Sequence, residues 1–174
     1  GAVQTFTVPA GVTSINIDAR GAQGGGSNGG AGGLGARMTG NFTVTPGSVL
    51  NIVVPQQGLL QVGGNAQNSS GGGGGAFVYT TGPNTLLVAA GGGGGKCNYT
   101  GSPALHPGAA GSITANGNAS SDGAGLGGVA GNGGGAGLWS GIPCAGGGAG
   151  WLTVGGGPYG GLNFASWAGG PGFC

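Results

Sequence analysis

Few side chains in this chain can do chemistry, and their spacing limits what that chemistry is. Among 174 residues there are three cysteines, one histidine, two aspartates and no glutamate. General acid–base catalysis needs titratable groups held within hydrogen-bond reach of the reacting atoms. Asp18 and Asp122 stand far apart, and His106, in Leu105-His106-Pro107-Gly108, has no partner motif. A Cys–His dyad from Cys97 or Cys144 with His106 is the nucleophilic arrangement the inventory allows, but no flanking residue marks it as activated. The glycine runs lack the following Lys-Ser/Thr and the strand-to-helix context of a phosphate loop. The cysteines lack the short spacing of a metal site. The expectation is a protein without catalytic residues, cofactor or metal. Asp18 and Arg20, two apart on one strand face, read as an ion pair or a solvated face.

Cross-linking remains open to the cysteines. Cys97 and Cys144 both lie in glycine-rich text and are the expected intrachain pair, closing one long loop. Cys174 is then free or bonded to another chain. That usage, with Lys and Glu nearly missing, points to an oxidising extracellular setting. Four Asn-x-Ser/Thr sequons, at Asn41, Asn68, Asn98 and Asn118, matter only in a glycosylating secretory route. Trp139, Trp151, Tyr159 and Trp167 stand among the glycines. They read first as plugs of a core, and second as loop aromatics contacting a glycan or protein ligand.

The elements that position these residues must be built from an unusual composition. Glycine supplies 53 residues and charged side chains only 3%, with a net charge of +1. An ordinary protein has about 7% glycine and about 25% charged residues. The electrostatic footprint of a nucleic-acid binder is missing. No run of about 18 apolar residues is present to span a membrane as a helix. Glycine does not keep the strict register of collagen. Charge-driven disorder does not fit a chain with 37% hydrophobic residues.

Two textures alternate along the chain. Gln4 to Pro9, Val12 to Ala19, and Phe42-Thr43-Val44 alternate polar and apolar residues, the pattern of half-buried strands. Ile15, Ile17 and Ala19 share one face of the second; Ser14, Asn16 and Asp18 share the other. Thr45-Pro46-Gly47-Ser48 predicts a turn, and Val49 to Val54 a buried strand. Ala76 to Tyr79 and Leu86 to Ala90 flank Thr81-Gly82-Pro83-Asn84, a hairpin signature. No segment carries a helical stripe. In the glycine text, Gly26, Gly29, Gly32 and Gly35 fall three apart, as do Gly125, Gly128, Gly131, Gly134 and Gly137, with Gly108 and Gly111 as a shorter instance. Three residues is the repeat of the extended left-handed polyproline II helix. Packed side by side, such helices of glycine can bond across their backbones. Leu34, Leu126, Val129 and the aromatics set among the glycines favour that ordered reading over a flexible linker.

Several motifs carry a resemblance. Gln4-Thr5-Phe6-Thr7-Val8-Pro9-Ala10-Gly11-Val12 leads into Ile15-Asn16-Ile17-Asp18-Ala19-Arg20-Gly21-Ala22-Gln23-Gly24-Gly25. Leu50-Asn51-Ile52-Val53-Val54-Pro55-Gln56-Gln57-Gly58 follows. Gly71 to Tyr79 and Leu86-Leu87-Val88-Ala89-Ala90-Gly91-Gly92-Gly93-Gly94 complete the set. Together they resemble the glycine-rich TNF-like domain of anaplastic lymphoma kinase and leukocyte tyrosine kinase, with its bacterial secreted and phage tail-fibre relatives. The resemblance implies an all-β, jelly-roll-like (TNF-like) sandwich carrying a bundle of parallel polyglycine II helices. It divides the chain into sandwich strands over residues 1–95, with a first glycine loop at 21–36, and a glycine-helix region over 96–174. Family members close the sandwich with further strands after the last glycine tract. Here the text ends at Gly172-Phe173-Cys174, which implies an open sheet edge.

The leading expectation is a structural or adhesive protein outside a bacterial cell, assembling with copies of itself into a filament or surface layer. The missing charge removes repulsion between copies, and Val3, Gln4, Thr5, Phe6, Thr7 and Val8 form the candidate shared strand. The alternative is a binding module that takes a glycan or cell-surface protein on its aromatic loops. Ice binding by a flat, uncharged bundle face ranks third.

Overall fold

A computed structural model describes residues 3–26, 30–59, 67–82, 84–99, 108–120, 125–139 and 142–157. The protein is all-β, with no helix among the described residues. In chain order the strands are β1 (Val3–Thr7), β2 (Ser14–Arg20), β3 (Arg37–Thr43), β4 (Val49–Val53) and β5 (Gln67–Ser69), followed by β6 (Ala76–Thr80), β7 (Leu86–Ala90), β8 (Cys97–Tyr99), β9 (Gly137–Trp139) and β10 (Ile142–Ala145). β1 and β2 fall where period-two text predicts them, and β4, β6 and β7 where the buried-strand and hairpin readings do; β3 begins at Arg37, five residues before the expected Phe42-Thr43-Val44. β-Branched and aromatic residues stiffen those segments and pack well on a pleated surface.

Four strands make one antiparallel sheet in the order β1-β4-β6-β7, and the β2–β3 hairpin lies against it. The turn before β4 sets this geometry. Pro46 fixes its first central residue, and Gly47 takes φ +80° at the second. Ser48 N–H then reaches Thr45 O at 3.0 Å, which closes a type II turn. Val8 N–H bonds Ser48 O at 2.8 Å, so the chain re-enters beside β1. Between the layers lie Val8, Ala19, Val44, Leu50, Ala76, Val78, Val88 and Ala90, all buried. On the sheet's other face Val53, Phe77 and Tyr79 form a second cluster with Leu86, Ala89 and Trp151. Trp151 meets Phe77 edge-on, with centroids 5.1 Å apart, and Tyr79 at 5.7 Å.

Below the strands the glycine segments interlock, and their hydrogen bonds change direction with every residue. Gly21 and Gly24 donate to Ala36 O and Gly33 O, both at 2.9 Å. Ala22 and Gly25 donate to Gly74 O at 3.0 Å and Gly71 O at 2.7 Å. Gln23 O accepts from Gly58 N–H at 3.0 Å. Neighbours are thus addressed with a period of three, as a threefold extended helix requires. Residues 91–96 repeat the pattern at the centre. Gly92 and Gly95 donate to Ala149 O at 3.1 Å and Gly146 O at 2.8 Å. Gly93 and Lys96 donate to Ala22 O at 2.9 Å and Gly25 O at 3.0 Å, and Gly94 to Ala109 O at 2.8 Å.

Two features of this lattice differ from the resemblance-based expectation. Its segments are not all parallel: the bond pairs 21→36 and 24→33 run antiparallel, while 93→22 and 96→25 run parallel. A threefold segment presents donors on every side, so either direction satisfies it. The lattice also crosses the expected boundary at residue 96. Residues 21–26, 33–36, 56–59, 70–75 and 91–96 share it with 108–111 and 146–149.

Candidate functional site

The two layers of the sandwich are unequal, and this opens one side. The hairpin packs over β6 and β7 and leaves the same face of β1 and β4 without a strand above it among the described residues. A cavity of about 500 Å³ lies there, lined by Ile15 and Ile17 of β2, Phe6 of β1, Leu50 and Ile52 of β4, and Val54. Phe6 is 42% exposed and Val54 45%. The cavity has for one wall an edge of β2 that is unpaired among the described residues, and an apolar sheet face for its floor.

The expected shared strand, Val3 to Val8, is β1 plus its first buried neighbour. It pairs with β4 in register from Val3↔Val53 to Thr7↔Val49, and every residue of β1 is exposed. It is the outermost strand of its sheet.

Asp18 has a stronger partner than the adjacent Arg20. Its two carboxylate oxygens accept from Arg37 Nε at 3.0 Å and Nη2 at 2.9 Å, while Arg20 Nη2 stands at 3.3 Å. Those hydrogen bonds, Arg37's first, hold the Asp18 carboxyl at about 2. Arg37 lies on β3, where Arg20↔Arg37 and Asp18↔Thr39 are register partners, so only strand register reveals it. The same polar face joins Asn16 Nδ2 to Asn41 Oδ1 at 2.9 Å. Two of the other sequon asparagines also fall on strands. Asn68 and Asn98 are directly opposed in β5 and β8. Asn118 is exposed and donates to Ala110 O at 3.2 Å.

Within the lattice, Lys96 is buried to 2% exposure against Gly30. Beside it the fully buried Ser70 hydroxyl sits within reach of Gly25 O and Lys96 O. Cys97 is buried and disulfide-bonded, and β8, which carries it, packs beside β10, which carries Cys144. Trp151 belongs to the core cluster rather than to a free loop. Trp139 closes β9 opposite Ile142. His106, Asp122, Tyr159, Trp167, Cys174 and Gly29 lie outside the described residues.

Of the three-spaced glycines, Gly26, Gly32, Gly35 and Gly128 stand where a Cβ would overlap neighbouring backbone, whereas Gly125 and Gly134 have more room. Two positions correct the sequence expectation. Gly131 takes φ +86° beside Ala130 at +51°, in a turn closed by Asn132 N–H to Val129 O at 3.1 Å. A left-handed φ is incompatible with the polyproline II helix expected there. Gly137 opens β9 opposite Ala145. Among the described residues no group of three His, Cys, Asp or Glu side chains could hold a metal ion. No described helix is long and apolar enough to cross a membrane. Compared with known proteins, the chain matches no family model and no curated protein.

Proposed function

We propose that this is a non-catalytic structural or adhesive protein of the extracellular space that assembles with copies of itself into a filament or surface layer. The observation that carries the reading is the open side of the sandwich: an apolar sheet face and a β2 edge, unpaired among the described residues, bounding a cavity of about 500 Å³. Edges of this kind pair readily with another chain. A second copy is the favoured occupant because five charged residues in the whole chain offer almost no repulsion between copies. The glycine lattice, read as polyglycine II helices under a TNF-like sandwich, is the stiff body of each subunit. Cys97 is assigned to Cys144, since their strands are neighbours. The test is electron microscopy and light scattering of the purified, oxidised chain over rising concentration. Fibres, layers or defined oligomers are the expected result, and a monodisperse monomer at millimolar concentration refutes the reading.

The alternative, a glycan- or protein-binding module, draws on the aromatic loops. Trp151 supports it little, because its ring is already engaged by Phe77 and Tyr79.

A further inference from the structure

The cavity is not the only unfinished part of the sheet. β1 borders β4 on one side alone, and its backbone groups divide by parity. Val8 N–H donates to Ser48 O, and Val8 O accepts from Gly47 N–H, both at 2.8 Å. Val8 therefore addresses the β4 side. Because successive residues of a strand point their N–H and C=O to opposite sides, Phe6 and Gln4 do the same. Val3, Thr5 and Thr7 present theirs outward, where no described strand lies.

Natural proteins guard such edges with charge, proline, bulges or a covering element. Val3–Thr7 contains no charged residue and no proline, and its ladder with β4 runs without a register shift. Val3 and Phe6 remain 39% and 42% exposed at this edge. The opposite edge strand, β7, lies beneath the β2–β3 hairpin.

We propose that β1 pairs antiparallel with β1 of a second copy, about a two-fold axis through Thr5, joining two four-stranded sheets into one. The inference rests on the reading that the protein assembles with itself, and it names the edge, symmetry and register. With the axis at Thr5, Thr5 faces Thr5 of the second copy and Val3 faces Thr7. All three outward-facing residues then meet outward-facing partners, giving about six hydrogen bonds at two per pair. Moving the axis to Gln4 or Phe6 loses one of those pairs. Slipping by a single residue opposes outward groups with inward ones. The side chains agree with the centred register. Val3, Thr5 and Thr7 are all β-branched and make favourable cross-strand pairs on one face. On the other face the exposed Phe6 ring lies across from the Gln4 stem, at the close spacing of a non-hydrogen-bonded pair. The strand is its own complement, and it carries no charge to repel the copy. A C2 contact of this type is isologous, so it makes a paired building block.

The inference separates two proline variants. Thr5→Pro removes an N–H that faces outward, where an edge strand tolerates proline, and spares the bonds to β4. Sedimentation velocity of the full chain, with circular dichroism and thermal unfolding alongside, reads the outcome. Thr5→Pro is expected to keep the wild-type fold and weaken the dimer by about a hundredfold or more. Thr5→Lys places two like charges on the axis with every backbone donor intact. It should weaken the dimer in the same direction, and it decides the matter if Thr5→Pro unfolds. Thr5→Cys should cross-link the two copies on oxidation, because its Cα atoms would sit about 5.5 Å apart, within disulfide range. Assembly that is insensitive to both Thr5→Pro and Thr5→Lys, or an assembled Thr5→Cys protein that fails to cross-link, overturns β1 pairing while leaving self-assembly standing. A wild-type monomer at all concentrations overturns both.

Discussion

Gly91 and Gly93 lie two residues apart in the central glycine segment, yet alanine should have opposite consequences there. A Cβ built on Gly91 meets Ala149 O at 3.4 Å, an ordinary contact. A Cβ built on Gly93 comes within 2.5 Å of Gly33 C and overlaps the Gly33 carbonyl oxygen more closely still. The atoms it strikes belong to backbone, so no side chain can swing aside. To restore ordinary contact, segment 33–36 must retreat by about 1 Å, since interiors leave no slack at this scale. The bonds Gly33 N→Gly94 O and Ala36 N→Gly91 O, now both 2.9 Å, would then open beyond hydrogen-bond range. Leaving buried backbone groups unpaired costs about 1–3 kcal/mol each. Gly93→Ala should therefore lose about 2–6 kcal/mol, a large part of the roughly 5–15 kcal/mol available to a domain. Gly91→Ala should change stability by less than about 1 kcal/mol, and in the stabilising direction if chain entropy dominates. Equilibrium denaturation in guanidinium, comparing midpoints at equal slope, is the measurement. Equal midpoints for the two variants would refute the claim that these glycines are required by backbone-to-backbone approach.

Two further outcomes follow from the sheet and hairpin. Trp151→Ala removes the ring that covers Phe77 and Tyr79. Because Trp151 is only partly buried, it should destabilise by about 2–4 kcal/mol, at or below the full-core value. A thermal midpoint unchanged by this substitution would return Trp151 to the list of ligand-binding candidates. Asp18 has its carboxyl lowered from 3.8 to about 2 by Arg37 and Arg20. A depressed folded value means the contribution is complete above the unfolded value and is lost as pH falls from about 4 toward 2. In pH-dependent melting, Asp18→Asn should lower stability near neutral pH by the small amount expected of an exposed pair, and flatten the acid limb by the same amount, so that the two proteins converge near pH 2. An acid limb identical to wild type would sink the assignment.

The sheet was legible in the sequence because β1 is written in period two, β4 as a short apolar run after a turn, and β6 and β7 as flanks of a hairpin turn. Ile15, Ile17 and Ala19 do face the core side, and Thr45-Pro46-Gly47-Ser48 does make the turn that its proline and glycine demand. The short strands β5, β8, β9 and β10 were not legible. Three or four residues, such as Gln67–Ser69, are too few to show an alternation. The spacing of three includes Gly26, Gly32 and Gly35, where a Cβ would strike neighbouring backbone, yet it also takes in Gly131, whose place is decided by the local Ala130-Gly131 turn. Spacing along a chain says that a residue faces a neighbour every third step. It cannot say which neighbour, so the meeting of Gly92 with Ala149 and of Gly93 with Ala22 was invisible. Arg37 escaped for the same reason: its partnership with Asp18 depends on the register of β2 against β3.

The central glycine segment also has a consequence in time. Its donors Gly92 and Gly95 find their acceptors on Ala149 and Gly146, more than fifty residues later in the chain, while Gly93 and Lys96 look back to Ala22 and Gly25. A chain emerging from its N-terminus can align the backward-looking pairs early. The forward-looking pairs wait for the later glycine text to arrive. Closing such long loops before any bond rewards it is slow. Until then, segment 91–96 has one flank without its partners, and water must serve them. The lattice around segment 91–96 is therefore completed only after residues 146–149 have been made and meet Gly92 and Gly95.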